Sequence, residues 1–353
     1  MNRIVVKIGS QVLCHADGLL NLDILSGLVG QIVNLHGKGW QVILVSSGAV
    51  AAGMSVAGAD KLRNYDPITR KQVLAATGQV QLMQTYQLQF GKHGLGVAQV
   101  LASKSDFQTR NHYLNMRNCL EGILNAGIVP VVNENDVVSI TELMFTDNDE
   151  LAGLLAGMVN AELLCMLSSV KGVYDANNQL IRNWDDEIHH VEEIVSSGTS
   201  RLGRGGMHSK ITIARKTAAL GTEVVIAHGL VENILLQVVN QENTGTRFTA
   251  GNATSPAKRW LASSDAHAVG AVHINEGAAQ ALSDKNRIAS LLLVGVESLD
   301  GDFKRGDIIR VIEKSGRVLG VGRSGYDRNE ADSLIGGKDH KPLIHCDYLY
   351  LNK

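Results

Sequence analysis

Two lysines in this sequence each accompany a glycine-rich segment. Lys7 stands in Lys7-Ile8-Gly9-Ser10, directly after an apolar run, and Lys210 follows Gly203-Arg204-Gly205-Gly206-Met207 by three residues. Ammonium groups beside glycine-rich backbone at the start of a helix bind anions. The two segments indicate a phosphate-handling site, although each alone also fits a solvated lysine beside an ordinary turn.

Small and polar residues follow two other apolar runs. Ser46-Ser47-Gly48-Ala49 follows residues 41–45, and small residues let a backbone approach a ligand closely. Tight packing of a helix favours them equally. Asn133-Glu134-Asn135-Asp136 follows residues 128–132, and this polar run predicts either the floor of a polar pocket or a surface turn.

An acidic cluster, Asp147-Asn148-Asp149-Glu150, precedes a helical stretch. An N-cap accounts for one carboxylate, while another could orient the lysines or bind a Mg²⁺–nucleotide complex. Phosphoryl transfer needs cations for the spreading negative charge, donors for the phosphates and a group that holds the cations in place. The residues therefore predict phosphoryl transfer and leave the acceptor open. A Walker A motif is absent, which argues against a P-loop kinase.

Short apolar runs alternate with helical stretches and must position these segments. Continuous β-branched runs, typical of strands covered on both faces, predict strands at 4–8, 41–46, 97–101, 128–133, 163–168 and 223–227. Helical spacing predicts helices at 23–36, 109–126, 149–160 and 209–220, the last with Lys210 in its first turn. Repeated strand–helix–strand units imply an α/β fold with a largely parallel sheet, which binds ligands beyond the carboxyl ends of its strands.

The composition changes near residue 250. Residues 245–256 are rich in Gly, Thr, Asn and Ser and indicate a linker. Beyond it, turn signals separate strands predicted at 271–274, 290–296, 307–312, 318–322 and 343–350. We predict one domain at 1–250, a linker at 251–257 and a small, mostly β domain at 258–353.

The composition excludes several classes of protein. The chain has 353 residues, 44% of them hydrophobic, and a formal net charge of −2, which is typical of a globular protein rather than a disordered one. No apolar run is long enough to span a membrane, and the N-terminus lacks a signal-peptide pattern. Four scattered cysteines without metal-binding spacing indicate buried free thiols, so we expect a cytoplasmic protein. From Pro256 onward 14 Lys+Arg balance 13 Asp+Glu, which argues against RNA as a partner.

The ordered set of motifs resembles the glutamate 5-kinases of the amino acid kinase superfamily. It comprises the segments 7–10, 47–49, 133–136 and 147–149, together with Gly205-Gly206-Met207 and Lys210. The tail from about residue 258 resembles the PUA domain that many of these enzymes carry, notably at 274–278 and 303–307. The resemblance covers essentially the whole chain. It implies a three-layer α/β sandwich around a sheet of about eight largely parallel strands, followed by a PUA-like domain.

The resemblance also implies transfer of the γ-phosphoryl group of ATP to the side-chain carboxylate of L-glutamate. The product, L-glutamyl 5-phosphate, is formed in the first step of proline biosynthesis. Lys7 and Lys210 would stabilise the transferring group, Asp149 would hold both lysines, and Gly48 would donate a backbone N–H. No general base is required, because the attacking carboxylate is already ionised at pH 7.

The remaining site residues implied by the resemblance bind the two substrates. Glutamate would contact Ser47, Asp136 and Asn148, with Asp136 suited to the substrate ammonium. The ATP site would comprise Lys7, Gly9, Ser168, Ser169, Arg204, Gly205, Gly206, Met207, His208, Ser209 and Lys210. Mg²⁺ is implied with ATP, without identified metal ligands. A homo-oligomer and feedback inhibition by proline are further implications, and a membrane partner is not expected.

Ser169 departs from the family pattern, because this position commonly holds an aspartate, and its loss removes a carboxylate from the nucleotide site. Three alternatives stay open at this point. The same fold could serve another acceptor, namely N-acetylglutamate, aspartate, carbamate or UMP. The tail could bind RNA, or the chain could be a catalytically inactive regulatory relative.

Overall fold

The structure is a computed structural model. It describes residues 2–15, 17–57, 62–107, 109–138, 145, 147–189, 204–252, 254–262, 268–284 and 288–351, and of residues 204 and 205 only the backbone. The chain divides into two compact units. The first comprises Met1–Asp106 and Asn111–Ala253, and the second comprises Phe107–Arg110 and Thr254–Lys353.

A largely parallel sheet forms the centre of the first unit. Its strands among the described residues are β1 (Arg3–Ile8), β2 (Gln41–Ser46), β3 (Val97–Ala102), β4 (Val129–Glu134), β5 (Leu163–Ser168), β6 (Glu223–His228) and β7 (Thr246–Phe248). The order is β3-β4-β2-β1-β5-β6-β7, and β7 pairs antiparallel to β6 whereas the other pairs are parallel. Strands β2, β4 and β5 are buried along their whole length, as expected for a sheet covered on both faces.

The predicted α/β class is confirmed, and the six predicted strands of this unit agree with the structure to within one residue at each end. Strand β7 was missed. It lies within 245–256, where turn-forming residues outweigh a run of only three strand residues. Its place in the structure comes from antiparallel pairing with β6, which is a tertiary contact.

The helices of the first unit cover the sheet. They are α1 (Ser10–Leu13), α2 (Leu22–Gly37), α3 (Ala49–Ala57), α4 (Pro67–Gly91), α5 (Arg110–Asn125), α6 (Asn148–Met158), α7 (Arg204–Ala219) and α8 (Ile234–Val239). Side-chain oxygens of Asn21, Asp66 and Asp147 accept backbone N–H groups and cap α2, α4 and α6. Helix α4 was not predicted from the sequence.

Helix α7 begins earlier than its sequence pattern predicts. It starts at Arg204 rather than at Ser209, so Gly205 and Gly206 form its first turn. Lys210 consequently lies in the second turn, and its predicted first-turn position was wrong. The helix runs on for 16 residues, and packing of this length outweighs the low helix propensity of two glycines at its start.

Helices α3 and α4 cross in close contact at two glycines. A Cβ atom added to Gly53 would lie 2.0 Å from the carbonyl oxygen of Leu74, and one added to Gly78 would lie 1.8 Å from that of Ala49. Both distances are too short for a non-bonded contact, so neither position can hold a residue larger than glycine. The small residues after β2 therefore serve helix packing at Gly53, which is one of the two roles the sequence left open.

The second unit is built on a five-stranded sheet of order β12-β11-β10-β8-β9. Its strands are β8 (Gly270–Ile274), β9 (Val296–Gly301), β10 (Ile308–Glu313), β11 (Val318–Arg323) and β12 (Leu349–Leu351). Its helices are α9 (Pro256–Ala262), α10 (Glu276–Ser283) and α11 (Arg328–Ser333). Phe303, Ile309 and Val311 are completely or almost completely buried in a separate apolar core.

Two strand predictions in the second unit were wrong. Residues 290–296 contain the 3-10 helix Leu293–Gly295, and β9 begins only at Val296. Residues 343–350 contain the 3-10 helix Cys346–Tyr348, and β12 begins at Leu349. Leu291, Leu293, Leu343 and Ile344 belong to the core of this unit, and these buried side chains produce the apolar pattern of both stretches. Burial without a strand ladder produces the same sequence signal as a buried strand.

The four cysteines carry free thiols, but the prediction that they are buried holds only for Cys165. Cys119 is exposed, and Cys14 and Cys346 are half-buried. None of the helices that the structure describes has both the length and the apolar character needed to cross a membrane.

Candidate active site

Three charged side chains from three elements meet beside the central strands. Lys7 lies near the carboxyl end of β1, Asp149 in the first turn of α6 and Lys210 in the second turn of α7. The Nζ atom of Lys7 is 2.6 Å from Oδ1 of Asp149, and the Nζ atom of Lys210 donates to Oδ2 of the same carboxylate. Asp149 is completely buried and thus bridges the two ammonium groups. These three residues are called the charge cluster below.

Burial and mutual attraction set the protonation of the charge cluster. Burial lowers the pKa of Lys7 below its ordinary value, exceeding the opposing attraction of Asp149, and Lys210 lowers it further. Burial alone would raise the pKa of Asp149. The two ammonium groups outweigh that effect and hold the pKa of Asp149 below its usual range. Two cations share one carboxylate, so the cluster has a surplus of positive charge that suits a polyanionic ligand.

Asp147 fixes the start of α6 and joins it to α7. Its Oδ1 accepts the backbone N–H groups of Asp149 and Glu150, and its Oδ2 accepts the hydroxyl of Ser209 at 3.1 Å. Burial raises the pKa of Asp147, and the negative charge of Asp149 raises it further. This N-cap holds Asp149 at the first turn, where the helix dipole stabilises a carboxylate.

A second group of polar side chains, called the amide cluster, lies at the ends of β2 and β4. Nδ2 of Asn148 donates to Ser47 Oγ at 3.2 Å and to Asn133 Oδ1 at 3.1 Å. Nδ2 of Asn133 donates to Oε1 of Gln79 on α4 at 3.0 Å. Asn133 and Gln79 are buried, while the buried Oδ1 of Asn148 and Nε2 of Gln79 have no hydrogen-bond partner among the residues that the structure describes. Such atoms are available to a polar ligand.

Gly48 joins β2 to α3 with a backbone φ of +105°. Residues with a side chain rarely adopt this backbone conformation, and a Cβ added to Gly48 would lie 3.1 Å from Cδ2 of Leu20. The turn therefore requires glycine. It leaves the first backbone N–H groups of α3 beside Ser47, without intrahelical acceptors.

A cavity of ≈ 530 Å³ opens beside the charge cluster. Its lining includes all three members of the charge cluster and the predicted residues Gly9, Ser47, Asn148, Ser168, Ser169, Gly206 and Met207. It also includes six residues outside the predicted site: Ser10, Gln11, Val12, Asp147, Leu167 and Val170. The segments after β1, β2 and β5 thus reach one cavity, as expected for the carboxyl edge of a parallel sheet.

Other predicted residues do not line this cavity. Gly48 and Asp136 are absent from its lining, and Oδ1 of Asp136 instead lies 2.9 Å from Nζ of Lys71. Ser209 contacts Asp147, while His208 is exposed. Of Arg204 and Gly205 the structure describes only the helical backbone.

Ser169, where an aspartate was expected, donates its hydroxyl to Oε1 of Gln11 at 2.7 Å. Gln11 carried no sequence signal, because its partner is 158 residues away. The backbone N–H of Gly9 donates to the carbonyl oxygen of Leu167 at 3.1 Å and is thereby occupied. Gly9 therefore lets its backbone lie close to a ligand in the cavity but does not supply a free N–H donor.

Asn133 and Gln79 were missed as site residues. Asn133 belongs to the polar run that begins at the end of β4, so the sequence contained its signal, but only Asp136 of that run was selected. Gln79 lies in α4, which the sequence did not predict as a helix. One signal could have found it: Gln79 stands among small and apolar residues. It also lies seven positions from both Gln72 and Tyr86, a spacing that places the three on one face of a helix.

The fold and the charge cluster define a class of protein. The chain matches the amino acid kinase family over residues 2–228 and the PUA domain over residues 270–344. It therefore belongs to the amino acid kinase family, with a PUA domain in its second unit.

Curated relatives specify the family further. A glutamate 5-kinase of Chlorobaculum tepidum is 45% identical over 352 residues, which cover 99% of this chain and 97% of that protein. A glutamate 5-kinase of Bacteroides thetaiotaomicron is 42% identical over 360 residues, with 99% and 98% coverage. Within the superfamily, the chain belongs to the glutamate 5-kinases, and the resemblance of its motifs is confirmed. A solved UMP kinase structure from Ureaplasma parvum is 14% identical, with a TM-score of 0.48, covering 70% of this chain and 100% of that one.

Proposed function

We infer that this chain transfers the γ-phosphoryl group of ATP to the side-chain carboxylate of L-glutamate. A carboxylate oxygen attacks the γ-phosphorus, the bond to the β-phosphate oxygen breaks, and ADP leaves with L-glutamyl 5-phosphate as the other product. This is the first step of proline biosynthesis. The observation that carries the inference is the charge cluster beside the cavity, in a chain that matches glutamate 5-kinases over nearly its full length.

The charge cluster supplies the electrostatic part of the reaction. Lys7 and Lys210 would stabilise the charge that spreads over the phosphoryl oxygens, and Asp149 would hold both ammonium groups in place before the substrates bind. Fixed charges in a buried site need no reorganisation during the reaction. The N–H groups at Gly48 and the start of α3 would donate to the same oxygens. Positioning and electrostatics suffice, because glutamate is already ionised at pH 7.

The amide cluster and Asp136 would bind L-glutamate. Ser47 and Asn148 line the cavity and are joined to each other, and Asn133 would hold Asn148 in position. Oδ1 of Asn148, which has no partner within the described part of the chain, offers an acceptor to the substrate. Asp136 would take the substrate ammonium.

The remaining cavity residues would bind ATP. Gly9, Ser168, Ser169, Gly206 and Met207 support this proposal by lining the cavity together with both lysines. Arg204, Gly205, His208 and Ser209 stay part of the proposed ATP site through the motif that they share with Lys210.

Mg²⁺ would enter as the complex with ATP. Magnesium is commonly held by substrate phosphates, water and one or two carboxylates. Asp147 and Asp149 are the acidic side chains that line the cavity, and Asp149 is engaged by two lysines. Asp147 fits a single carboxylate ligand, direct or through water, and the ion would supply further neutralisation of the phosphates.

Family membership also supports proposals that geometry does not address. We propose that the predicted domain 1–250 carries out catalysis and that the protein is cytoplasmic. We also propose that it forms a homo-oligomer and is inhibited by proline.

Release of ADP with Mg-ATP and a panel of acceptors, in the presence of hydroxylamine, tests the activity. Hydroxylamine traps an acyl phosphate as a hydroxamate, so we expect hydroxamate with L-glutamate. The panel includes N-acetylglutamate, aspartate, carbamate and UMP. Turnover with one of these and not with L-glutamate would contradict the proposed acceptor. Absence of turnover with every acceptor would contradict the activity.

A further inference from the structure

One face of helix α4 supports the strand ends that would bind the acceptor. Nε2 of Gln72 donates to the carbonyl oxygen of Val137 at 2.9 Å, and Oε1 of Gln79 accepts from Asn133. The hydroxyl of Tyr86 shares a hydrogen bond of 2.7 Å with Ser46 Oγ. Positions 72, 79 and 86 are seven residues apart and therefore lie on one face of the helix. This face fixes the first turns of α4 against the polar turn that contains Asp136.

Lys71, next to Gln72, extends from this helix to Asp136. Their Nζ and Oδ1 atoms are 2.9 Å apart, and the Asp136 side chain is 14% exposed while that of Lys71 is 47% exposed. We propose that the Lys71–Asp136 pair recognises the zwitterionic end of the acceptor, with Asp136 binding its α-ammonium and Lys71 its α-carboxylate. The proposal rests on the proposed function, in which Asp136 faces the substrate ammonium.

The charges of L-glutamate match such a pair. The substrate carries one ammonium and two carboxylates, and its γ-carboxylate must approach the phosphoryl group. Lys7 and Lys210 already engage Asp149 beside that reacting end. A cation elsewhere would stabilise the α-carboxylate, and Lys71 lies next to the residue proposed to take the ammonium on the same carbon.

Lys71 and Asp136 can each exchange the other for a charged group of the substrate, so neither charge is left unpaired. Before the substrate binds, Lys71 and Asp136 neutralise each other, so the mostly buried Asp136 is not left as an uncompensated charge. When a zwitterion binds, each side chain exchanges its protein partner for the opposite charge on the substrate. An acceptor with an acylated nitrogen or an amidated α-carboxylate satisfies only one of the two groups. The pair therefore selects a free α-amino acid.

The KM for L-glutamate distinguishes this role from two others. We expect Lys71→Gln to raise that KM by about tenfold, the loss of roughly one charge-assisted hydrogen bond, with kcat and the KM for ATP nearly unchanged. Lys71→Arg should keep the KM near its original value, because it retains the charge. Lys92→Gln, at the opposite end of the same helix, is the matched control and should have no effect. If Lys71 only competes with the substrate ammonium for Asp136, Lys71→Gln lowers the KM instead. A lowered or unchanged KM overturns the proposal.

L-Isoglutamine, in which the α-carboxylate of glutamate is an amide, provides the second readout. Its competitive inhibition constant against L-glutamate should change little in Lys71→Gln, because the interaction that Lys71 provides is absent from this ligand. An equal weakening of both ligands would indicate general distortion of the site and contradict the proposal. Failure of the proposed function has a different result, since the unchanged protein would then form no hydroxamate with L-glutamate.

Discussion

The Nζ atom of Lys7 and Oδ1 of Asp149 lie 2.6 Å apart, and their side chains are 5% and 0% exposed. A strand and a helix separated by more than a hundred residues thus place a buried ion pair beside the cavity. Buried charges are costly unless they are paired, and each of these two side chains neutralises the other. Lys210 adds a second cation to the same carboxylate. The arrangement is preorganised for negative charge, and its proposed catalytic role depends on both lysines remaining protonated.

The pH dependence of turnover should reveal the pKa of Lys7, which burial lowers from its ordinary 10.5. We expect kcat/KM for ATP, which reports the free enzyme, to fall with rising pH before pH 10.5 is reached, because the neutral amine no longer stabilises the phosphoryl group. The unfolded chain binds this proton more tightly than the folded chain, so the contribution of Lys7 to stability rises with pH over the same window. The measurement is kcat/KM for ATP, from ADP release at saturating L-glutamate between pH 7 and 10.5, with unfolding followed in parallel. A kcat/KM that stays level up to pH 10.5 would show that Lys7 does not act as a buried cation.

Replacing Lys210 by alanine should reduce kcat by about two orders of magnitude or more, because one of two fixed cations for the transition state is removed. The fold should persist, since Lys7 still neutralises Asp149. Lys216→Ala is the matched control, an exposed lysine on the same helix, and should leave kcat unchanged. Steady-state kinetics and a thermal unfolding curve test both variants. Near-normal turnover of Lys210→Ala in a folded protein would remove it from the proposed mechanism.

Asp136→Ala should chiefly raise the KM for L-glutamate, by about tenfold or more, because the substrate ammonium loses its counter-charge. The KM for ATP serves as the internal control and should not change, since Asp136 does not line the cavity described above. Saturation curves for both substrates provide the measurement. Unchanged glutamate saturation would contradict the binding role.

Gly48→Ala should lower the free energy of unfolding by about 1–2 kcal/mol, because the backbone φ of +105° is strained for any residue with a Cβ. It should also lower kcat, since the turn would shift the N–H groups proposed to contact the phosphoryl oxygens. Gly27→Ala in α2 is the control, with no atom within 4 Å of an added Cβ and an ordinary helical position. It should be neutral or stabilising. Denaturant unfolding and kcat compare the two, and equal effects would contradict a special requirement at position 48.

The positions of most parallel strands were predictable from the sequence because these strands are continuous apolar runs, and burial on both faces produces that pattern locally. Lys7, Asp149 and Lys210 could likewise be selected, since each stands in or beside a glycine-containing or acidic motif. Helix α4 could not, because its buried face includes Gly78, Gln79 and Thr85 rather than a regular apolar stripe. The start of α7 was misplaced since glycine is a poor indicator within a first turn.

The sequence by itself determined the two-part organisation, the α/β class, the family and the residue types of the charge cluster, because local composition and ordered motifs contain that information. The tertiary structure alone decided which oxygen of Asp149 pairs with which lysine, that Ser169 bonds to Gln11, and that Asp136 pairs with Lys71. These contacts join residues far apart in the chain. They depend on the register of the sheet and the packing of helices, and neither leaves a signal in the neighbouring sequence.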